Sequence, residues 1–166
     1  LRILVTSAED LTVFLSGNLI SFEFKECRIS SNVLDGEFMN YKSYIPSKFE
    51  TVIKVNTKDL IDSLERASLI TSDDKRYPVK FTINDDDMLI SSTADVGISK
   101  EQIKIENEGS PLHIGFNPRY FIDALKVIND ENIKISFTSS VGPCIITALD
   151  HERYLFLILP VRIRNN

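Results

Sequence analysis

The sequence predicts an α+β protein in which one β-α-β-β-β unit occurs twice, and three observations carry that reading. A segment running Val55-Asn-Thr-Lys-Asp-Leu-Ile-Asp-Ser-Leu64 returns as Phe116-Asn-Pro-Arg-Tyr-Phe-Ile-Asp-Ala-Leu125, with Asn56 to Asn117 and Leu64 to Leu125 both 61 residues apart. Each copy opens on an extended apolar stretch and passes through an asparagine into an amphipathic helix. Each helix is then followed by three strand-like runs.

The opening strands are Thr51–Val55 and Leu112–Phe116. Asn56 and Asn117 suit the N-cap, because a short side-chain oxygen accepts an orphan amide hydrogen of the first turn. Pro118 follows at the first helical position, where its missing N–H costs nothing. Leu60, Ile61, Leu64 and Ala67 match Phe121, Ile122, Leu125 and Ile128, so both helices carry one apolar stripe facing the same way. After the first helix come Val79–Ile83, Met88–Ser92 and Gln102–Glu106; after the second come Ile133–Phe137, Cys144–Ala148 and Tyr154–Leu159. Val79, Phe81 and Ile83 alternate with Lys80 and Thr82, the period of a half-buried strand. Two such units form an antiparallel sheet with two helices on its other face, related by a pseudo-twofold.

Upstream, Arg2–Thr6, Leu11–Leu15 and Leu19–Lys25 read as three strands without a preceding strand and helix. Asp35-Gly36 marks a turn, and a connection runs on to Phe49. Leu1 already lies inside an apolar run, so the chain reads as a fragment. Residues 1–47 are the tail of one duplicated domain plus a connection, and 48–166 are a complete copy.

Composition narrows the function. The 166 residues are 43% hydrophobic and 26% charged, which suits a globular core and not disorder. No apolar run is long enough for a membrane span, and the N-terminus lacks a signal-peptide pattern. Cys27 and Cys144 lie far apart without CxxC spacing and read as buried free thiols, which fits a reducing cytoplasm. Nineteen basic residues against twenty-four acidic ones give a net charge of −5. That argues against tight nucleic-acid binding through phosphate neutralisation, but leaves loose or topological contact open.

The sequence offers no active site. His113 alternates with apolar neighbours in a strand, and His151 sits in the turn-like Asp150-His-Glu-Arg153. Neither has a nucleophile in a recognisable elbow or a zinc-ligand spacing. Asp85-Asp86-Asp87 lacks the glycine and closing glutamate of a calcium loop and reads as a solvated hairpin turn. No phosphate-cradling glycine loop occurs. No cofactor or metal is expected.

What remains are surfaces. Leu69 and Ile70 leave the apolar stripe of the first helix, Leu69 by about 150° at 100° per residue. They make a subunit contact, or the helix frays near Ser68 and both tuck beneath the following loop. The C-terminal Tyr154-Leu-Phe-Leu-Ile-Leu-Pro-Val-Arg-Ile163 is apolar on both faces. It is a buried central strand, or its last residues floor an apolar groove for a partner peptide.

Leu155-Phe-Leu-Ile-Leu-Pro-Val-Arg-Ile163, Ile114-Gly-Phe-Asn-Pro-Arg-Tyr-Phe-Ile-Asp-Ala-Leu125 and Asp35-Gly-Glu-Phe-Met-Asn-Tyr41 closing with Ile45-Pro46 together resemble the bacterial replicative sliding clamp family, the beta subunit of DNA polymerase III. The resemblance runs over essentially the whole chain. It implies the DNA-clamp fold, three duplicated domains per subunit, and two subunits closed head to tail around duplex DNA. By that likeness residues 1–47 end the middle domain, and 48–166 are the C-terminal domain. It also implies no enzyme activity of the chain's own, a cytoplasmic location, no membrane, and docking of the replicative polymerase, the clamp loader and repair proteins through short Leu/Phe-containing peptides.

The peptide pocket so implied is lined by Met39, Tyr44, Val141, Pro143, Leu157, Ile158, Leu159, Pro160, Val161 and Arg162, with Asn117 and Tyr120 nearby. Met39 stands where many relatives carry proline and Ser43 where they carry arginine, which implies a rim of different shape and charge. The subunit contact falls on Leu69 and Ile70, with Asp95 and Glu101 facing basic groups of the neighbour. Lys58, Arg66, Arg119 and Lys126 lie on the polar helix faces that line the family's DNA channel; ordinary solvated helix positions are the alternative. A duplicated α+β adaptor that binds only proteins is the competing reading of the whole.

Overall fold

The computed structural model describes residues 10–71, 78–95, 97–150 and 153–163. They fall into two compact units that divide after Tyr41. In the first, β1 (Thr12–Ser16), β2 (Leu19–Phe24) and β3 (Cys27–Asn32) form an antiparallel sheet in that order. Gly17, at φ +58, turns β1 into β2, a positive φ that glycine adopts without steric cost. The expected strands at 11–15 and 19–25 are present as β1 and β2, and the one at 2–6 lies outside the described residues. β3 was not expected. Its sequence, Cys-Arg-Ile-Ser-Ser-Asn, holds one large aliphatic and so shows no alternation, yet it continues the ladder with Phe22 opposite Ile29 and Glu23 opposite Arg28. Cys27 heads this strand and is exposed, contrary to the buried thiol expected; Cys144 is buried, and burial pushes its thiol pKa up.

The second unit holds the duplication. The first copy is β4 (Thr51–Asn56), α1 (Thr57–Ser68), β5 (Val79–Ile83), β6 (Asp87–Ala94) and β7 (Gly97–Gly109). The second is β8 (Leu112–Phe116), α2 (Pro118–Leu125), β9 (Asn132–Phe137), β10 (Cys144–Ala148) and β11 (Leu155–Ile158). Both helices start as the sequence dictates: the Asn56 side chain accepts from the Asp59 N–H at 3.1 Å and that of Asn117 from the Arg119 N–H at 3.0 Å. The strands join one curled sheet in the order β11-β10-β9-β4-β7-β6-β5-β8, every pairing antiparallel.

The copies interlock. β4 of the first pairs with β9 of the second, Val55 opposite Ile133, while β8 of the second pairs with β5 of the first, Phe116 opposite Val79. Helices α1 and α2 touch each other, and their apolar stripes close over the sheet. Leu60, Leu64, Phe121 and Leu125 are fully buried against Ile53, Phe81, Phe116 and Phe137. The Phe81, Phe116 and Phe121 rings meet pairwise with centroids 4.9–5.4 Å apart in tilted and edge-on contacts, each pair adding about 0.5–1.5 kcal/mol beyond its buried area.

β7 is far longer than the expected 102–106. Residues 97–104 pair with β6 and 105–109 with β4; the first part alternates Ser, Lys and Glu with few apolar residues, so hydrophobic periodicity does not register it. Asn84–Asp87 is the hairpin turn the sequence suggests: the Asn84 N–H donates to the Asp87 carbonyl at 2.9 Å, and the Asn84 and Gln102 amides donate to the two Asp87 carboxylate oxygens.

Removing either cap by Asn56→Ala or Asn117→Ala is expected to cost about 1 kcal/mol in a urea titration. Gly109→Ala is expected to cost more, on the order of 2 kcal/mol, because φ is +128 and the new Cβ would lie 2.2 Å from the backbone oxygen of Glu50.

Candidate functional site

The second copy carries an open apolar groove of about 660 Å³ between α2 and β11. Tyr120, Asp123 and Ala124 line one wall, at the i, i+3 and i+4 spacing that puts residues on one helix face; Leu155 through Leu159 line the other. Tyr120 and Leu159 are 59% and 64% exposed. Ile158, by contrast, is buried and joins the core.

Four expected pocket residues therefore meet in this groove: Tyr120, Leu157, Ile158 and Leu159. Asn117 is occupied as the α2 cap. Val141 is 80% exposed and Pro143 half-buried in the turn between β9 and β10, and because Cys144 pairs with Ile158 that turn lies at the Leu159 end of β11. Pro160 cannot donate to a ladder and ends β11. Val161 still donates its N–H to the Gly115 carbonyl of β8 at 2.8 Å, and Gly115 leaves room for this run, since a Cβ there would sit 2.6 Å from Ile163 Cγ1. Arg162 is exposed. Tyr44, in the second unit, is exposed, as is Met39 of the first unit. Asp123, Ala124, Leu155 and Phe156 were not foreseen; reading the α2 turn that carries Tyr120 one step further would have added Asp123 and Ala124.

The Tyr154 hydroxyl donates to Asp130 Oδ2 at 2.6 Å and Arg153 Nη2 to Asp130 Oδ1 at 2.5 Å. Those two hydrogen bonds, Tyr154 first, hold the Asp130 carboxyl below its ordinary pKa. Burial, reinforced by Asp130, pushes the Tyr154 phenol up to about 12.

On the helix faces, all four cations expected there are paired. Lys58 meets Asp62 at 2.6 Å, and Arg119 approaches Asp123 to 3.8 Å. Both residues of the second pair stand 61 positions after those of the first, so the two copies hold the same i, i+4 ion pair. The Asp62 hydrogen bond raises the Lys58 pKa. Lys126 meets Glu65 at 2.8 Å. These two are also 61 apart, so equivalent positions of the two copies face each other with opposite charge. Arg66 holds Glu101 through Nε at 2.8 Å and Nη2 at 2.7 Å, which brings together residues the sequence assigned to different surfaces.

At the end of α1 the chain tightens into a 3-10 turn, Leu69–Thr71. Leu69 is 74% exposed and Ile70 half-buried. The turn packs against β6 and β7, and among the described residues Gly97–Lys104 of β7 pair along one edge only. Asp95 is exposed beside that edge. His113 Nδ1 lies 3.2 Å from Thr82 Oγ1 across the β5–β8 ladder, and His151 lies outside the described residues. Among the described residues no three His, Cys, Asp or Glu side chains cluster to hold a metal, and no helix is long and apolar enough to cross a membrane.

The family model of the DNA polymerase III beta subunit, C-terminal domain, matches residues 42–162. The chain belongs to this family. It is 32% identical over 164 residues to the beta sliding clamp of Bacillus subtilis, covering 97% of this chain and 43% of that relative, and 32% identical to the beta sliding clamp of Halalkalibacterium halodurans with the same coverage. Among solved structures, the DNA polymerase sliding clamp from Bacillus subtilis superimposes with a TM-score of 0.90 at 33% identity, over 98% of this chain and 44% of that one. A putative DNA polymerase III beta subunit from Eubacterium rectale gives the same TM-score at 32% identity, with the same coverage. The curled antiparallel sheet with two helices on one face is the DNA-clamp fold, and the chain spans less than half the length of these relatives.

Tyr154 sets a pH dependence. Its pKa is near 10 in an unfolded chain and about 12 here. The phenol must stay protonated to hold its place, so its contribution is fully present below pH 10 and is lost as pH rises through about 12. The urea midpoint is expected to fall across that window, and Tyr154→Phe to flatten the fall.

Proposed function

We propose that the chain is the C-terminal part of a bacterial replicative sliding clamp, which tethers a DNA polymerase to duplex DNA by encircling it and holds partner proteins by short peptides. In this reading residues 1–47 close the middle domain and connect it to the C-terminal domain at 48–166. The observation that carries it is the groove between α2 and β11. It is apolar, open, and lined by Tyr120, Leu157 and Leu159, and a peptide's Leu and Phe side chains would gain about 1.5–3 kcal/mol each by full burial there. Tyr44, Asn117, Val141, Pro143, Pro160, Val161 and Arg162 extend the pocket by family likeness.

The paired helix cations support a DNA-facing role of a particular kind. Exposed ion pairs are worth 0–1 kcal/mol, so Lys58, Arg66, Arg119 and Lys126 can exchange carboxylate for phosphate at almost no net gain. Such a surface tolerates DNA without gripping it, which sliding requires. Leu69 and Ile70, with Asp95 and Glu101 along the open edge of β7, form the contact to a second subunit. The protein performs no chemistry itself; its partners are duplex DNA, a second clamp subunit, the polymerase, the clamp loader and other peptide-bearing proteins.

Three experiments test this. The full-length parent protein, loaded on nicked circular DNA, is expected to be lost when the circle is linearised; retention on open ends points instead to the protein-only adaptor. In a fluorescent-peptide titration, Leu157→Ala and Tyr120→Ala are each expected to weaken binding about ten-fold, from roughly 1–2 kcal/mol of lost burial, and unchanged affinity in both would remove the groove from the reading. Freeing the cations with Asp62→Asn, Asp123→Asn and Glu65→Gln together is expected to strengthen DNA binding at low salt and to steepen its salt dependence by about one unit per new phosphate contact.

A further inference from the structure

The groove's walls come from α2 and from β11, whose ends are joined by no covalent short cut: the chain leaves α2, crosses to β9, returns through β10 and only then enters β11. The sheet ladder fixes β11 relative to β10, but it does not fix how far β11 stands from α2. Asp130 lies in the loop just after α2, and Tyr154 immediately precedes β11. Their 2.6 Å hydrogen bond ties these two segments together.

Both partners are themselves held. The Asp130 carbonyl accepts from Thr57 Oγ1 at 2.6 Å, and the neighbouring Glu131 carbonyl accepts from the Thr57 N–H at 2.8 Å, which docks this loop on the first turn of α1. The Tyr154 ring packs on Phe156 with centroids 5.7 Å apart, and Phe156 lines the groove. The loop leaves α2 and docks on α1, and the tyrosine packs on the groove strand, so the bond ties that strand to the loop that follows the helical wall.

We propose that Asp130 and Tyr154 form a latch that fixes the separation of the groove's walls, and so act as positioning residues for the peptide the groove holds. The proposal rests on the peptide-groove reading above and adds residues outside the lining to it. A hydrogen bond at a charged acceptor is stronger than a neutral one, and the ring of Tyr154 stays packed when only its hydroxyl is removed. Tyr154→Phe therefore tests the bond with little change to the core.

The test uses the full chain and a fluorescein-labelled hexapeptide ending in Leu-Phe, with amide hydrogen exchange of Leu155–Ile158 followed in parallel. Tyr154→Phe and Asp130→Ala are each expected to weaken the peptide about five-fold and to speed β11 exchange about ten-fold. The double variant is expected to be no weaker than Asp130→Ala alone, which already removes the Tyr154 bond together with the Arg153 bond to the same carboxylate. Asp130→Asn, which keeps an oxygen for the hydroxyl, is expected to stay within about two-fold of the parent. That rescue separates a latch from a general loss of stability. If the parent binds the peptide and Tyr154→Phe binds it equally well, the latch is overturned and the groove reading stands. If the parent binds no peptide, the groove reading falls, and unchanged exchange in β11 would sink the wall-fixing claim independently.

Discussion

Everything in the second unit depends on strands exchanged between the two copies. β4 must pair with β9 and β8 with β5, so neither β-α-β-β-β copy can complete its sheet or cover its helix without the other. The register is the same at both crossings, Val55 on Ile133 and Phe116 on Val79, which makes the pseudo-twofold a property of hydrogen bonding as well as of sequence. The Phe81, Phe116, Phe121 cluster draws on both copies, so the core forms only when they meet. Cooperativity follows: the copies fold as one body because each owns half of the other's interior.

The same symmetry explains the charge pattern on the helices. Lys58–Asp62 and Arg119–Asp123 are one ion pair written twice, as expected of an ancestral helix duplicated with its surface. Near the pseudo-axis the constraint differs, because equivalent residues there face each other and like charges would repel. Glu65 opposite Lys126 meets that constraint by divergence. The outcome is a helix face dense in charge and nearly neutral pair by pair.

The sequence made the symmetric part legible. The repeat offset, both asparagine caps and the apolar stripes are local patterns, and local patterns survive in a string of letters. β3 and the first half of β7 were hidden because they are ordered by ladder hydrogen bonds, not by burial of alternate side chains; polar strands leave no periodic trace. Arg66 with Glu101 and Lys126 with Glu65 could not be read, since pairs so distant in sequence are set by the tertiary fold alone. The groove was half legible: the apolar run at 155–159 announced one wall, while of its helical wall only Tyr120 came with the family resemblance, and Asp123 and Ala124 needed the packing of α2 over β11.

The groove exists where the copies stopped resembling each other. β7 runs thirteen residues and pairs with β4, whereas its counterpart β11 is cut to four by Pro160, and a single bond from Val161 to Gly115 stands where the first copy has a ladder. The helix diverged too: the position of Asp59 in α1 is taken by Tyr120 in α2, which replaces a helix-start carboxylate with an exposed aromatic. A shortened strand leaves β11 without the ladder that would have fixed its second edge, and the aromatic Tyr120 stands in the wall beside it. That loss of edge pairing also removes a constraint on where β11 stands relative to α2, and the Asp130–Tyr154 hydrogen bond ties the loop after α2 to the residue before β11.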